Sequence, residues 1–204
     1  RCSSDLRGRG GVSVRAQDAE ALVEALLKEM LAMRPPVRVV SKGGLWHQRV
    51  IDGFLRAVTL GGQNRYLTDY VTTLGRTILV PEGWGRVAAH RRYEVLRHEL
   101  VHVRQFERWG WVGMVLIYGF FPLPAGLAWG RARLEWEAYA ETLRVTAEVE
   151  GIEAARDPRL HAEILARFTG PDYAWMWPFP ETVQGWIDDC VEQLAREATE
   201  APPR

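Results

Sequence analysis

The chain has 204 residues, 47% of them hydrophobic, which is enough to bury a core within one domain. Its formal net charge is zero, and this balance excludes the basic surface that a nucleic-acid-binding protein needs. Two cysteines exclude a disulfide framework and a cysteine-based zinc site. We expect a single domain over residues 16–199, between a flexible, Gly- and Arg-rich N-terminal arm at 1–15 and a tail at 200–204.

The first part of the chain predicts a helix, a strand and a hairpin. Apolar residues follow helical spacing over 18–33, with Asp18 as the expected N-cap and Pro35-Pro36 as the stop. Residues 37–40 (VRVV) favour a short strand. Residues 66–81 contain two runs of β-branched and aromatic residues on either side of a glycine, which is typical of a β-hairpin.

The second part of the chain is mostly helical by pattern. Helices are expected over 88–109, 131–150, 157–168 and 181–198, and Asp157 ahead of a proline is a cap for the third of them. The expected fold class is therefore α+β and mainly helical, with a small hairpin or sheet before the helix over 88–109.

The helix over 88–109 contains His98-Glu99-Leu100-Val101-His102, which has the HExxH form. Side chains four residues apart on a helix point the same way, so His98 and His102 can bind one zinc ion. Glu99 stands beside the first of them, where it can reach a water on the metal and accept its proton.

Helical spacing also predicts which way this motif faces. The arginines of the helix are expected on a solvated face: Arg97, Arg104 and Arg108. The inward face would carry the motif together with Val95, Phe106 and Trp109. A carboxylate buried between two imidazoles is costly unless something pairs with it, and a divalent cation would pair with all three groups. The alternative is a His–Glu hydrogen-bond cluster in the core without metal.

A zinc site needs a third ligand, and position 108, where an extended form of the motif places a third histidine, is an arginine. The helix over 131–150 offers carboxylates instead. Its inward stripe consists of Glu135, Ala138, Tyr139, Thr142, Val145 and Val149. Its polar stripe consists of Glu137, Glu141, Arg144 and Glu148. Glu135 is therefore the predicted ligand, with Glu137 as the alternative.

The two motifs together, HELVH at 98–102 and EWEAY at 135–139, resemble those of the gluzincins, metallopeptidases in which a glutamate from a second helix completes the zinc site. That glutamate opens an E-x-x-A-D or E-x-x-x-D pattern, whose aspartate supports a ligand histidine, and Tyr139 stands in its place here. The order of elements over 66–149 is also similar to that of the CAAX-processing and heat-shock membrane proteases. The whole chain resembles an uncharacterised bacterial family of predicted metallopeptidases.

The resemblance implies a zincin-like domain over residues 16–199, with a zinc ion held by His98, His102 and Glu135 and with Glu99 as the general base that activates water for attack on a peptide bond. A second electrophile usually stabilises the oxyanion of such a reaction. The candidates for it are Tyr139, Tyr173 and His161.

In zincins an edge strand before the HExxH helix pairs with the extended peptide substrate. The resemblance therefore makes residues 76–81 (RTILVP) a candidate substrate strand, with Arg76, Ile78 and Val80 as its contacts. The alternative is an ordinary hairpin that closes a sheet.

Residues 109–130 contain no charged side chain over 22 positions, which is long enough to span a membrane, but glycines and prolines interrupt them. We expect a bent segment buried between the two zinc-ligand helices, with a membrane-dipping hairpin as the alternative. The compartment stays open between the cytoplasm and a membrane-associated position. A non-catalytic metal-containing module that binds a protein or membrane through its tryptophans is the alternative function. Glu99 favours catalysis, because a structural zinc site needs no base.

Overall fold

A computed structural model describes residues 16–42, 71–119, 128–170, 176–177 and 179–200. The helices in these ranges are α1 (Ala16–Ala32), α2 (Ala89–Gly119), α3 (Trp129–Glu150), α4 (Ile152–Ala155), α5 (Pro158–Thr169) and α6 (Pro180–Glu200), with a short 3-10 helix at Trp84–Arg86. The strands are β1 (Arg38–Ser41), β2 (Thr72–Leu74) and β3 (Thr77–Val80). The predicted class, α+β and mainly helical, is confirmed. The predicted arm at 1–15 and tail residues 201–204 lie outside the described residues.

The predicted helices are all present, and most of their bounds shift by one or two residues. The exception is α2, which was expected to end at 109 and runs to Gly119, and the short α4 was not predicted. The predicted cap at Asp18 is wrong, because α1 already begins at Ala16 and Asp18 lies in its first turn. The cap at Asp157 is confirmed, since its side chain accepts a hydrogen bond of 2.8 Å from the backbone N–H of Arg159. A proline at the first position of α5 completes that start signal.

The three strands form one sheet in the order β1-β3-β2, with β1 parallel and β2 antiparallel to β3. The predicted hairpin is confirmed as far as the described residues extend, and Gly75 in its turn has a φ of 60°. The prediction that residues 76–81 form an edge strand is wrong. β3 is the central strand, with Ile78 and Val80 paired to β1 and Ile78 also paired to β2. The carbonyl of Arg76 accepts from Arg38 N at 3.0 Å, so the backbone of this strand is already engaged in the sheet.

Two hydrophobic clusters share helix α3. The first packs α1, the sheet and the first half of α2 against the end of α3, where Val145 and Val149 are buried. The second packs α5 and α6 against the start and middle of α3, around Trp136 and Leu143. Helices α2 and α3 pack against each other. The fold therefore fixes α3 from both sides and presents one of its faces to α2.

One arginine of α2 departs from the predicted solvated stripe. Arg97 is half-buried, its Nε donates to Glu141 Oε1 on α3 at 2.7 Å, and its Nη1 donates to Tyr93 Oη at 2.7 Å. Arg104 and Arg108 are exposed as predicted. The difference arises because the ion partner of Arg97 sits on another helix, which the periodicity of α2 cannot show.

The apolar stretch does not follow its predicted course. Helix α2 continues through it to Gly119 with a sharp break at Gly110 (φ 65°, ψ 175°), and residues 120–127 lie outside the described residues. The prediction that this stretch is buried between the two ligand helices is wrong for Trp109, Trp111 and Val112, whose exposed fractions are 47%, 59% and 73%. Among the described residues, no helix is both long enough and apolar enough to cross a membrane.

The hairpin turn gives a stability test. Gly75 has a positive φ, and a Cβ there would lie 3.1 Å from Trp111 Cζ2, so Gly75→Ala should lower the free energy of unfolding by about 1–2 kcal/mol. The matched control is Gly185→Ala in α6, where a Cβ meets nothing within 4 Å; it should raise the same quantity by about 0.5–1 kcal/mol. Urea unfolding of the three proteins measures both changes. An unchanged free energy of unfolding in Gly75→Ala would contradict the left-handed conformation of this turn.

Candidate metal centre

The structure brings the three predicted metal ligands together at the α2–α3 interface. One potential ligand atom from each of His98, His102 and Glu135 lies within 4.8 Å of the other two. His102 Nε2 is 3.8 Å from Glu135 Oε2, and the two imidazole centroids are 5.2 Å apart at an interplanar angle of 73°. His102 and Glu135 are buried, with exposed fractions of 8% and 4%. Glu137, the alternative ligand, is exposed and does not belong to this group.

This donor set fits a zinc ion. Two imidazole nitrogens and one carboxylate oxygen form one of the ligand sets that catalytic zinc sites use, with a fourth position left for water. Zinc bonds of about 2.0–2.2 Å in a tetrahedron set the ligand atoms about 3.4 Å apart. The observed 3.8 Å between His102 Nε2 and Glu135 Oε2 is close to that spacing. It is also too long for a direct hydrogen bond between these two atoms.

Gln105 fixes the orientation of His102. Its Nε2 donates two hydrogen bonds of 2.9 Å, to the carbonyl of Leu134 and to Glu137 Oε2. Its Oε1 therefore faces His102 Nδ1, at 2.9 Å, and that oxygen can only accept. The proton of His102 must then sit on Nδ1, which leaves a lone pair on Nε2, the nitrogen that faces Glu135.

Thr142 has the same role for His98. Its hydroxyl donates to the carbonyl of Ala138 at 3.4 Å, so its oxygen can accept from His98 Nδ1, which lies at 3.1 Å. Both histidines are thereby held by a hydrogen bond at Nδ1, and both keep Nε2 as the nitrogen for a metal. The support at Nδ1 thus comes from an amide at His102 and from a hydroxyl at His98.

Glu99 is held by the sheet. Thr73 on β2 donates from Oγ1 to Glu99 Oε2 at 2.7 Å, and the carboxylate is buried, with 8% of the residue exposed. Burial raises the pKa of Glu99, while the charge of His102, the bond from Thr73 and the charge of Lys42 partly offset that rise. Lys42 is itself 2% exposed and donates to Thr72 Oγ1 at 3.2 Å, so the end of the sheet brings a cation near the carboxylate.

The two histidines have opposite pKa shifts. Burial lowers the pKa of His98 well below its usual range, and the charge of His102 adds to that effect. At His102 burial also lowers the pKa, but the charges of Glu135, Glu99 and Glu137 and the hydrogen bond to Gln105 together outweigh it, and the net shift is upward. His98 is therefore neutral at neutral pH and ready to bind a cation, whereas a cation at His102 competes with a proton. That competition makes metal affinity fall as the pH falls through the raised pKa of His102.

The remaining predicted residues have mixed outcomes. The Tyr139 ring packs edge-on against His98, with centroids 4.9 Å apart, so it borders the site; its role at an oxyanion stays a prediction. His161 Nε2 is bonded to the carbonyl of Ala155 at 2.8 Å, which engages it in the α4–α5 connection. Tyr173 lies outside the described residues. Arg76 forms an ion pair with Glu107 on α2.

Four residues that contact or neighbour the ligands and Glu99 were not predicted from the sequence: Lys42, Thr73, Gln105 and Thr142. A signal existed for two of them. Gln105 follows His102 by three residues and so shares its face, and Thr142 lies on the same inward stripe as Glu135. No local pattern could have pointed to Thr73 or Lys42, because both reach the site through the pairing of distant strands.

The comparisons with known proteins give no relative. The chain matches no protein-family model, and no curated protein or solved structure is significantly similar to it. Any functional conclusion must therefore come from the geometry of the site.

The support of His102 can be tested through metal affinity. Gln105→Leu removes the acceptor for Nδ1–H, so the affinity for zinc should fall by about 10–100-fold. Gln193→Leu is the matched control, because Gln193 is exposed on α6 and bonds only to Glu197 among the contacts described. Competition with a chromophoric chelator measures both. Equal affinities in the two variants would mean that Gln105 does not orient the ligand.

Proposed function

We propose that this chain is a zinc-dependent hydrolase of the metallopeptidase type, with a zincin-like arrangement of a small sheet, an HExxH helix and a second ligand helix. The observation that carries the proposal is the position of Glu99. It is a buried carboxylate beside a His–His–Glu group, oriented by Thr73 at 2.7 Å. A structural zinc site is usually closed by four protein ligands, whereas this group has three, and Glu99 lies outside it with one carboxylate oxygen bonded to Thr73.

In this proposal His98, His102 and Glu135 hold the metal. A zinc ion there would supply a Lewis acid that polarises a substrate carbonyl and lowers the pKa of a water molecule toward neutrality. Nδ1 hydrogen bonds to Thr142 and Gln105 keep the two imidazoles in the ligating tautomer, so little reorganisation is needed on binding.

Glu99 would move the proton. It accepts a proton from the attacking water as the water oxygen forms a bond to the carbonyl carbon of the substrate. When the C–N bond breaks, the protonated Glu99 passes that proton to the leaving amine. Burial raises the pKa of Glu99, which makes it a better base than an exposed carboxylate and lets it hold the proton between the two steps. The hydrogen bond from Thr73 fixes one carboxylate oxygen and leaves the other for this transfer.

The ligand assignment has a matched pair of tests. Purified protein should bind about one zinc per chain, and Glu135→Ala should lose it because a tetrahedral site would keep only two protein ligands. Glu137→Ala should retain the stoichiometry, since Glu137 supports Gln105 from the exposed face. Elemental analysis after dialysis measures both variants. Loss of zinc in Glu137→Ala but not in Glu135→Ala would reverse the assignment.

The catalytic assignment is tested by Glu99→Gln. The amide keeps the size of the side chain and can still accept a bond from Thr73, but it cannot take a proton at neutral pH. Zinc content should be unchanged, and cleavage of a diverse peptide pool, followed by mass spectrometry, should fall by about two to four orders of magnitude. Equal cleavage by wild type and variant would point to a contaminating protease. A zinc-loaded wild type that cuts no member of the pool would favour a non-catalytic metal module.

A further inference from the structure

The break in α2 leads into a segment that exposes large apolar side chains. Trp109, Trp111, Val112 and Leu116 have exposed fractions of 47%, 59%, 73% and 48%, and we refer to them as the α2 patch. They account for four of the seven large hydrophobic side chains that are exposed in the described parts of the chain. Single exposed apolar residues are ordinary, but four of them within eight positions indicate a surface that contacts something else.

The α2 patch is held in place by the fold. A Cβ on Gly113 would lie 3.0 Å from Trp109 Cβ, so Trp109 packs across the break onto the second segment of α2. The ring of Trp111 contacts that of Phe106, with centroids 5.0 Å apart and an interplanar angle of 58°, and it lies over the hairpin turn at Gly75. The exposed apolar surface is therefore formed by positioned side chains and needs no rearrangement to be presented.

Positive charge borders the α2 patch. The guanidinium of Arg108 lies 5.2 Å from the centroid of the Trp109 ring, and Arg104 is exposed one helical turn earlier. Neither arginine makes an ion pair with a described residue. The acidic residue between them, Glu107, is paired with Arg76. This side of the patch therefore carries positive charge that no described carboxylate neutralises.

A second pair of tryptophan and arginine lies where α3 begins. A Cβ on Gly130 would lie 3.1 Å from Ile117 Cγ2, so the start of α3 packs on the same segment of α2. There Trp129 is 49% exposed, and the guanidinium of Arg133 lies 5.8 Å from its ring centroid. The apolar segment is thus flanked by a tryptophan–arginine pair near each end.

We infer that the α2 patch docks on the surface of an anionic lipid bilayer. Tryptophan belongs at the boundary between headgroups and acyl chains, and arginine binds headgroup phosphates. Val112 and Leu116 would enter the acyl boundary, with Arg104 and Arg108 against the phosphates. A symmetric dimer through the same patch would bring the arginines of two copies together, and that repulsion disfavours a second copy as the occupant. The inference does not rest on the metal site or on the proposed hydrolysis.

Vesicle co-sedimentation of the full chain tests the inference. The protein should bind vesicles of phosphatidylcholine mixed with phosphatidylglycerol, bind vesicles of phosphatidylcholine alone much less, and lose affinity as the salt concentration rises. The double variant Val112→Glu with Leu116→Glu should bind at least about ten-fold less. Arg104→Gln with Arg108→Gln should reduce binding to the anionic vesicles by about five-fold per arginine.

The matched control is Leu31→Glu on α1, because Leu31 is 62% exposed and lies outside the patch. It should bind vesicles as the wild type does. The single variant Leu116→Ser is a milder change and should also weaken vesicle binding. It keeps the test valid if the double variant fails to fold. The inference is overturned if wild-type protein does not bind anionic vesicles or binds neutral vesicles equally well. It is also overturned if Leu31→Glu weakens vesicle binding as much as the double variant Val112→Glu with Leu116→Glu does. Self-association of the wild type that Val112→Glu abolishes would assign the patch to a second copy instead.

Discussion

The contact between α2 and α3 buries ionisable side chains where two packed helices normally bury hydrocarbon. Glu99, His102 and Glu135 are each less than 9% exposed, and Gln105 is 3% exposed. Burying one charged side chain costs roughly several kcal/mol unless hydrogen bonds and opposite charges replace the water around it. In this interface the replacements come from both helices and the sheet, and they fix where each polar atom points. The interface can exist only because these side chains satisfy one another or a cation.

The hydrophobic cores make that interface rigid. Helix α3 contributes Val145 and Val149 to one cluster and Trp136 and Leu143 to the other, so it cannot turn about its axis without opening both. The half-buried ion pair of Arg97 with Glu141 sets the register between α2 and α3 at a second point. Glu135 consequently meets His102 at 3.8 Å because the apolar packing of the whole domain determines where it lies.

Local periodicity predicted the parts of the site that belong to single helices. The pair His98 and His102, and the choice of Glu135 over Glu137, follow from 3.6 residues per turn, and the structure brings those three side chains together. Strand order could not be predicted, because β1 joins β3 from a distant part of the sequence. The contact of Thr73 with Glu99 depends on that sheet and was missed for the same reason. The burial of the apolar segment at 109–112 was also misjudged, since composition shows that a segment is apolar but does not show whether a partner covers it.

A divalent cation would neutralise the charges of this site more fully than a proton can. Without metal, the carboxylates of Glu99 and Glu135 raise the pKa of His102, so that a proton on this imidazole offsets part of their charge. His98 cannot assist, because burial and the charge of His102 lower its pKa. Because one proton cannot balance two carboxylates, a negative charge remains in this buried site. The charge of Lys42 offsets it only in part. A divalent cation bound to both imidazoles and Glu135 would balance the two carboxylates directly and would displace the second proton of His102, the one on Nε2. The hydrogen bonds at Nδ1 of each histidine do not involve Nε2, so a cation on Nε2 would not have to break them.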